Sequence, residues 1–283
     1  MKSFLEFSRQ LDERQIQYGN NANYGQVVFF AGGAASGKGF SIANFIDSSK
    51  FKIRDVDALK LMFLKLPSML AKYPEMRDFN LKTPENVFAL HQIVKKEGVP
   101  EKQFAAMLSG MKSPDTLPNL LFDATLKDMG DLHHFVPALI SVGYRPENFH
   151  ITWILTDYSV AIVRNRERTR VVPEDIMLAT HSGAALTMKN ILNGALPKTI
   201  NGSITVILNN PDAVTFYPQS HSTKDGKKVK LNLVKDFTYI TLKKAGRPMP
   251  AFVEMDSQIR QTLVAWVLAN APKLAEIERA YSN

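Results

Sequence analysis

The chain has 283 residues, 45% apolar and 22% charged, enough for one large domain or two small ones with a buried core. It contains no cysteine, which excludes disulfides, thiolate nucleophiles and cysteine-held zinc and fits a reducing cytoplasm. The formal net charge is +8, and eight lysines and arginines crowd between Lys224 and Arg247 against only Asp225 and Asp236, a local balance of +6. Charge concentrated in this way suits a polyanionic partner; it equally suits an edge strand kept soluble by its lysines.

Met1 to Gly19 alternates charges with Phe4, Leu5, Phe7, Leu11 and Ile16, the pattern of an amphipathic helix, and neither a signal peptide nor a membrane span is expected. Val27 to Ala31 then reads as a short apolar strand. It runs into Gly32-Gly33-Ala34-Ala35-Ser36-Gly37-Lys38-Gly39, a loop of the form G-x-x-x-x-G-K, and Phe40, Ile42, Ala43, Phe45 and Ile46 continue at helical spacing. Strand, glycine loop and helix start in that order make a phosphate cradle. Backbone N–H groups at a helix N-terminus hold the anion, the helix dipole adds attraction, and Lys38 reaches the outer phosphates. The expected nucleotide-binding residues are Gly32, Gly33, Ala34, Ala35, Ser36, Gly37, Lys38, Gly39 and Phe40. The position after the lysine usually carries Ser or Thr, whose hydroxyl joins Mg²⁺; here it is Gly39, followed by Phe40 and only then Ser41. The metal is therefore expected to be held through water and through acids from other strands.

Phe51 to Asp57 has strand alternation and ends in Asp55 and Asp57. At the carboxyl end of a parallel strand these acids face the nucleotide crevice. Asp57 there suits a proton acceptor and Asp55 an orienting or water-mediated metal ligand, whereas Asp57 is also placed to cap the helix that begins at Ala58. From Leu66 to Lys112 the pattern is mostly helical, with Thr83 and Pro84 starting a helix whose apolar face is Val87, Phe88, Leu90, Ile93 and Val94 and which Gly98 closes. Leu120-Leu121-Phe122-Asp123 reads as a buried strand that delivers Asp123 beside the phosphates as a metal or water organiser. A helix from Leu132 to Val142 carries His133 and His134, read as structural.

Phe149 to Leu155 is a further strand. The helix after it carries Arg164, Arg166, Arg168 and Arg170. Alternate helical positions lie about 200° apart, so four arginines in seven residues cannot share one face, and some must leave the helix for a loop. Arginine forks suit the charge of a transferring phosphoryl group, and an arginine lid is expected, most firmly for Arg164 and Arg168; a solvated basic helix is the other reading. Glu174 to Leu192 is helical, and Ser203 to Leu208 is a strand whose following loop, Asn209 to Pro211, is placed on the adenine side. Lys228 to Leu233 and Phe237 to Leu242 read as a hairpin around residues 234–236, and Ser257 to Asn270 as a last helix.

With GGAASGKG, Asp55-Val56-Asp57 with Lys60, LLFDAT and RNRERTRVVP in place, the stretch from Val27 to Leu208 resembles a P-loop kinase of the group that contains zeta toxins, polynucleotide kinases and phage kinases of hydroxymethylated bases. The resemblance implies an α/β three-layer P-loop fold with a mainly parallel sheet. It also implies ATP and Mg²⁺, Asp57 as base, Lys38, Arg164 and Arg168 in catalysis, and Asp55 and Asp123 at the metal through water. The domains expected are a core over 1–215, with a helical insertion at 66–112 and a lid at 161–173, and a basic hairpin with a C-terminal helix over 216–283, packed on the core.

The basic hairpin favours DNA as the acceptor's carrier, and the resemblance to the phage kinases then implies the hydroxymethyl group of 5-hydroxymethyluracil in DNA, with Lys224, Lys227, Lys228 and Lys230 as expected DNA contacts and a cytoplasmic location, the host's if the chain is phage-encoded. Alternatives are a kinase of a nucleotide sugar, a polynucleotide 5′-hydroxyl kinase, and a nucleotide-gated nucleic-acid-binding module without transferase activity.

Overall fold

The computed structural model describes residues 15–19, 24–111, 113–209, 216–222, 228–234 and 239–248. Of the amphipathic helix expected over Met1 to Gly19, residues 1–14 lie outside them and residues 15–18 are not helical, Ile16 and Tyr18 being buried under the sheet instead; the helix expected at 257–270 also lies outside them.

Five strands run parallel in spatial order β2-β3-β1-β4-β5: β1 Val27–Ala31, β2 Phe51–Arg54, β3 Asn119–Asp123, β4 Phe149–Leu155 and β5 Ile204–Leu208. β1 is central, pairing Val27 with Leu120 on one side and with Phe149 on the other. All five of its residues are fully buried, as a strand covered on both faces requires. Val27, Phe29 and Ala31 face a core built with Phe104, Leu132, Phe135 and Met188; Val28 and Phe30 face Tyr18, Ile42 and Phe45. That alternation makes the three layers.

The helices are α1 Lys38–Phe45, α2 Val56–Phe63, α3 Pro67–Lys72, α4 Pro84–Lys96, α5 Val99–Ser109, α6 Gly130–Ser141, α7 Tyr158–Glu167 and α8 Glu174–Asn190. Between residues 66 and 112 the insertion is helical as expected, and α4 begins at Pro84 after Thr83, although the Thr83 side chain makes no capping bond. β2 is shorter than its alternation implied. It stops at Arg54 because Asp55 Oδ1 accepts from the N–H groups of Asp57, at 2.7 Å, and Ala58, at 3.3 Å, and starts α2. The cap is Asp55 rather than Asp57.

The expected hairpin of 228–233 with 237–242 is corrected. β7 Lys228–Val234 pairs instead with β6 Phe216–Ser222, while β8 Tyr239–Lys243 joins the main sheet antiparallel to β5. The reason lies in β5, which is buried along its whole length and leaves a row of buried backbone groups unpaired until a strand lies beside it. β8 does so and buries Leu242. Lys243, one of the eight basic residues of this region, is 4% exposed; its Nζ donates to the carbonyls of Asn201 and Gly202 and to Asn201 Oδ1. Its charge is therefore spent inside the fold.

Candidate active site

The loop between β1 and α1 is held from three directions. Gly37 caps α1 with φ +90°, a left-handed conformation, and a Cβ there meets Asn209 Nδ2 at 2.1 Å. Asn209 Nδ2 and Thr156 Oγ1 both donate to the Ser36 carbonyl at 2.7 Å. From α8, Thr180 Oγ1 accepts from the Ala34 N–H at 3.2 Å, and His181 Nε2 donates to the Ala34 carbonyl at 2.8 Å. Gly33 has to be glycine because a Cβ lies 2.2 Å from the His181 ring. Around Gly39 the space is open.

Lys38 Nζ donates to the Gly32 and Gly33 carbonyls at 2.8 and 3.2 Å and lies 3.8 Å from the Asp123 carboxylate. Burial pushes the Asp123 carboxyl up; Asp55 and Asp57 push the same way, while Lys38 and Arg168 pull it back. Asp57 lies in the first turn of α2. Its Oδ1 accepts from Lys60 Nζ at 2.9 Å and its Oδ2 is bound by the Arg170 guanidinium. Burial alone raises this carboxyl, but the hydrogen bonds and charges of Arg170 and Lys60 prevail and hold it well below the usual carboxylate range.

The four arginines separate as their spacing requires. α7 ends at Glu167, and Arg168 and Arg170 sit in the loop beyond it. Arg164, on the helix, donates to the Asn209 carbonyl at 3.0 Å, beside Gly37. Arg168 feels the charges of Asp57, Asp123 and Asp55. Arg166 instead pairs with Glu174 in solvent at 3.0 Å. The loop is fastened: Asn165 exchanges two hydrogen bonds with Val172, and the Val171 N–H donates to the Leu81 carbonyl.

Lys38, Asp55, Asp57, Asp123 and Arg168 thus collect at the carboxyl ends of β1, β2 and β3, and Arg164 lies beside Gly37 and Asn209, past the ends of β1 and β5. Arg170 belongs with them, and so do the loop supports Asn209, Thr156, Thr180 and His181. Arg170 stands in the arginine lid that the sequence leads one to expect; of the loop supports only Asn209, at its strand end, is marked in the sequence. Lys228 and Lys230 lie on β7, opposite Ser222 and Ser220; Lys224 and Lys227 lie outside the described residues.

Among the described residues no group of three or more His, Asp or Glu side chains is assembled for a metal. The acids do fit Mg²⁺, which keeps waters and takes one or two carboxylates plus substrate phosphates. No described helix is long and apolar enough to cross a membrane.

A parallel α/β sheet with a glycine loop and its lysine after the central strand defines a P-loop nucleotide-binding fold. No protein-family model matches the chain, and no curated protein does. Among solved structures, the chain is similar to one from a study of the PezAT chromosomal toxin–antitoxin system of Streptococcus pneumoniae, at 12% identity over 97% of this chain and 98% of that one, with TM-score 0.44. It is also similar to the native AvrRxo1-ORF1:ORF2 complex, at 10% identity over 89% of this chain and 65% of that one, with TM-score 0.42. A third similar structure is AvrRxo1-ORF1:ORF2 with ATP, at 10% identity, 88% and 81% coverage and TM-score 0.39.

Proposed function

We propose that the chain is an ATP-dependent phosphotransferase acting on an alcohol, and that its acceptor is the hydroxymethyl group of 5-hydroxymethyluracil in DNA. The observation that carries the reading is the convergence of Lys38, Asp57, Asp123 and three arginines on one strand-end crevice. A purely nucleotide-gated binding module has no use for a carboxylate held between Lys60 and Arg170. The basic stretch from Lys224 to Arg247, leaving aside the buried Lys243, supports DNA as the acceptor's carrier.

In this reading residues 32–39 take the phosphates on backbone N–H groups, and Lys38 exchanges the Gly32 and Gly33 carbonyls for the outer phosphate oxygens. Asp55 and Asp123 would hold Mg²⁺ through water, and the ion would neutralise charge on the phosphates. Asp57 orients the acceptor hydroxyl. The hydroxyl oxygen bonds to the γ-phosphorus, the bond to the β–γ bridging oxygen breaks, ADP leaves, and the hydroxyl proton passes to Asp57. Because Arg170 and Lys60 hold Asp57 so acidic, it takes the proton late, after the new P–O bond has lowered the alcohol's basicity. Arg164 and Arg168 meet the charge on the transferred group.

The test is transfer of γ-labelled phosphate into 5-hydroxymethyluracil DNA, ordinary DNA with 5′-hydroxyl ends, and UDP-N-acetylglucosamine. Label confined to interior hydroxymethyl bases is the expected result. Label in the sugar nucleotide or at DNA ends alone replaces the acceptor and keeps the kinase. Transfer that is undiminished in Lys38→Ala overturns the site.

A further inference from the structure

A cavity of about 430 Å³ lies where the end of β2, at Arg54, meets α2, α4, α5 and α6. The proposed mechanism uses none of its polar lining. Val56, the residue between Asp55 and Asp57, forms part of its wall, and so does His91, on whose ring the charges of Lys60 and Asp57 act. Asp57 itself is not in the lining, and Val56 is where the wall comes within one residue of it.

Its interior is built around Arg54. The guanidinium stacks on the Phe135 ring, 4.7 Å from its centroid, and donates through Nη2 to the Pro100 carbonyl at 3.1 Å. Stacking and this one bond fix the plane of the fork, yet Nε is buried with no hydrogen-bond partner. A buried N–H left in that state calls for an oxygen. Asp131 and Glu101 also line the cavity, and their charges act on Arg54. Lys95 is a second cation in the lining. With two cations set against two carboxylates, a strongly anionic group gains little here. A neutral ring that presents acceptors and a donor along one edge gains from both signs.

A volume of this size lies within the small-molecule range and is far too narrow for a duplex. We infer that the cavity is the acceptor-ring pocket, in which Arg54 donates to a carbonyl oxygen and Asp131 accepts from the ring N–H of a pyrimidine-2,4-dione, with Phe135 and His134 as its aromatic wall. This inference rests on the acceptor proposed above, and it requires the base to leave the stack, so that its 5-substituent points past Val56 to Asp57.

The test uses the full chain and five-nucleotide single strands that carry either 5-hydroxymethyluracil or an abasic site at the centre. Subtracting the abasic strand removes backbone affinity. The wild-type chain is expected to prefer the base-containing strand, and Arg54→Lys and Asp131→Leu each to reduce that preference about ten- to a hundredfold, while ATP affinity stays within about twofold. Melting curves identify a variant that has lost its fold, and Asp131→Leu, of similar volume but without an acceptor, keeps the test decisive if Arg54→Lys does not fold. No preference in the wild type, or a preference that survives in the folded variants, overturns the pocket. Phosphoryl transfer read in the same samples separates the two claims. Preference without transfer keeps the pocket and sinks the kinase; transfer at the wild-type rate in both variants keeps the kinase and sinks the pocket.

Discussion

Asp57→Asn changes one charge at the start of α2, where the proposed base is held by Lys60 and by Arg170 of the arginine loop. The carboxylate serves Lys60 through one oxygen and Arg170 through the other. Asparagine keeps the shape but accepts from only one of them and turns an N–H₂ group toward the second. Lys60 is 9% exposed and is left short of a counter-charge. Breaking a fully buried pair from one side costs about 3–5 kcal/mol and an exposed pair about 0–1. Because the Asp57 side chain is 43% exposed, the expected loss lies between these, at about 1–2 kcal/mol. The carboxyl is depressed in the fold, so its contribution is present above the unfolded value and is lost as pH falls through the folded one. The melting gap between wild type and Asp57→Asn is therefore full at pH 7 and closes below about pH 4. On the rate, removing a general base costs about 10²–10⁴-fold, or roughly 3–5 kcal/mol of barrier. Label transfer at saturating ATP gives the rate, and titration gives ATP affinity separately. A rate within about threefold of wild type removes Asp57 from the chemistry. ATP affinity falling in step with the rate makes its role one of nucleotide binding.

Three other outcomes are expected. Gly39→Ser is tolerated, since nothing lies within 4 Å of a Cβ there; it gains about 0.5 kcal/mol of helix propensity and lowers the Mg²⁺ concentration that half-saturates transfer, and a loss of activity shows that the metal does not approach this position. His150, fully buried, accepts from the Ser203 N–H through Nδ1 and donates from Nε2 to Gln26, and burial holds its pKa at about 3. Its contribution is full above the unfolded value and falls by at most about 1.4 kcal/mol per pH unit as pH drops below about 6.5; an unchanged pH slope of melting in His150→Gln contradicts this. Replacing Lys224, Lys227, Lys228 and Lys230 together by Ala lowers the slope of log K against log salt for DNA by about three, whereas an unchanged slope takes the DNA off this segment.

The glycine loop, its lysine and the buried strands were legible because each rests on local chemistry: apolar runs for strands covered on both faces, and a helix start for an anion. The end of β2 was not, because alternation carries on through Arg54-Asp55 and only the Asp55 side chain, turned back on its own helix, stops it. The C-terminal pairing was misread for a different reason. Residues 228–233 and 237–242 both alternate, and local spacing favours joining them. The choice is made by the buried edge of β5, more than thirty residues away in sequence from the end of β8. Thr180 and His181 share that difficulty: they reach Ala34 from 146 and 147 residues along the chain, and no local pattern marks a helix whose task is to brace a loop.

The arginine run gives the sharpest separation between a sequence position and a structural one. Arg166 lies between Arg164 and Arg168, yet it points out to Glu174, both side chains being about two-thirds exposed. A pair of that kind contributes about 0–1 kcal/mol. Arg170 is 15% exposed and bound to Asp57. If charge density alone draws the phosphoryl group, Arg166→Ala and Arg170→Ala lose similar activity. If the fold decides, Arg166→Ala stays within about twofold of wild type in rate. Arg170→Ala in that case releases Asp57 from its depressed state, weakens the loop's hold on the crevice and slows transfer about a hundredfold or more. Measuring both rates under one set of conditions distinguishes the two, and equal losses refute the assignment of Arg170 to the acceptor carboxylate.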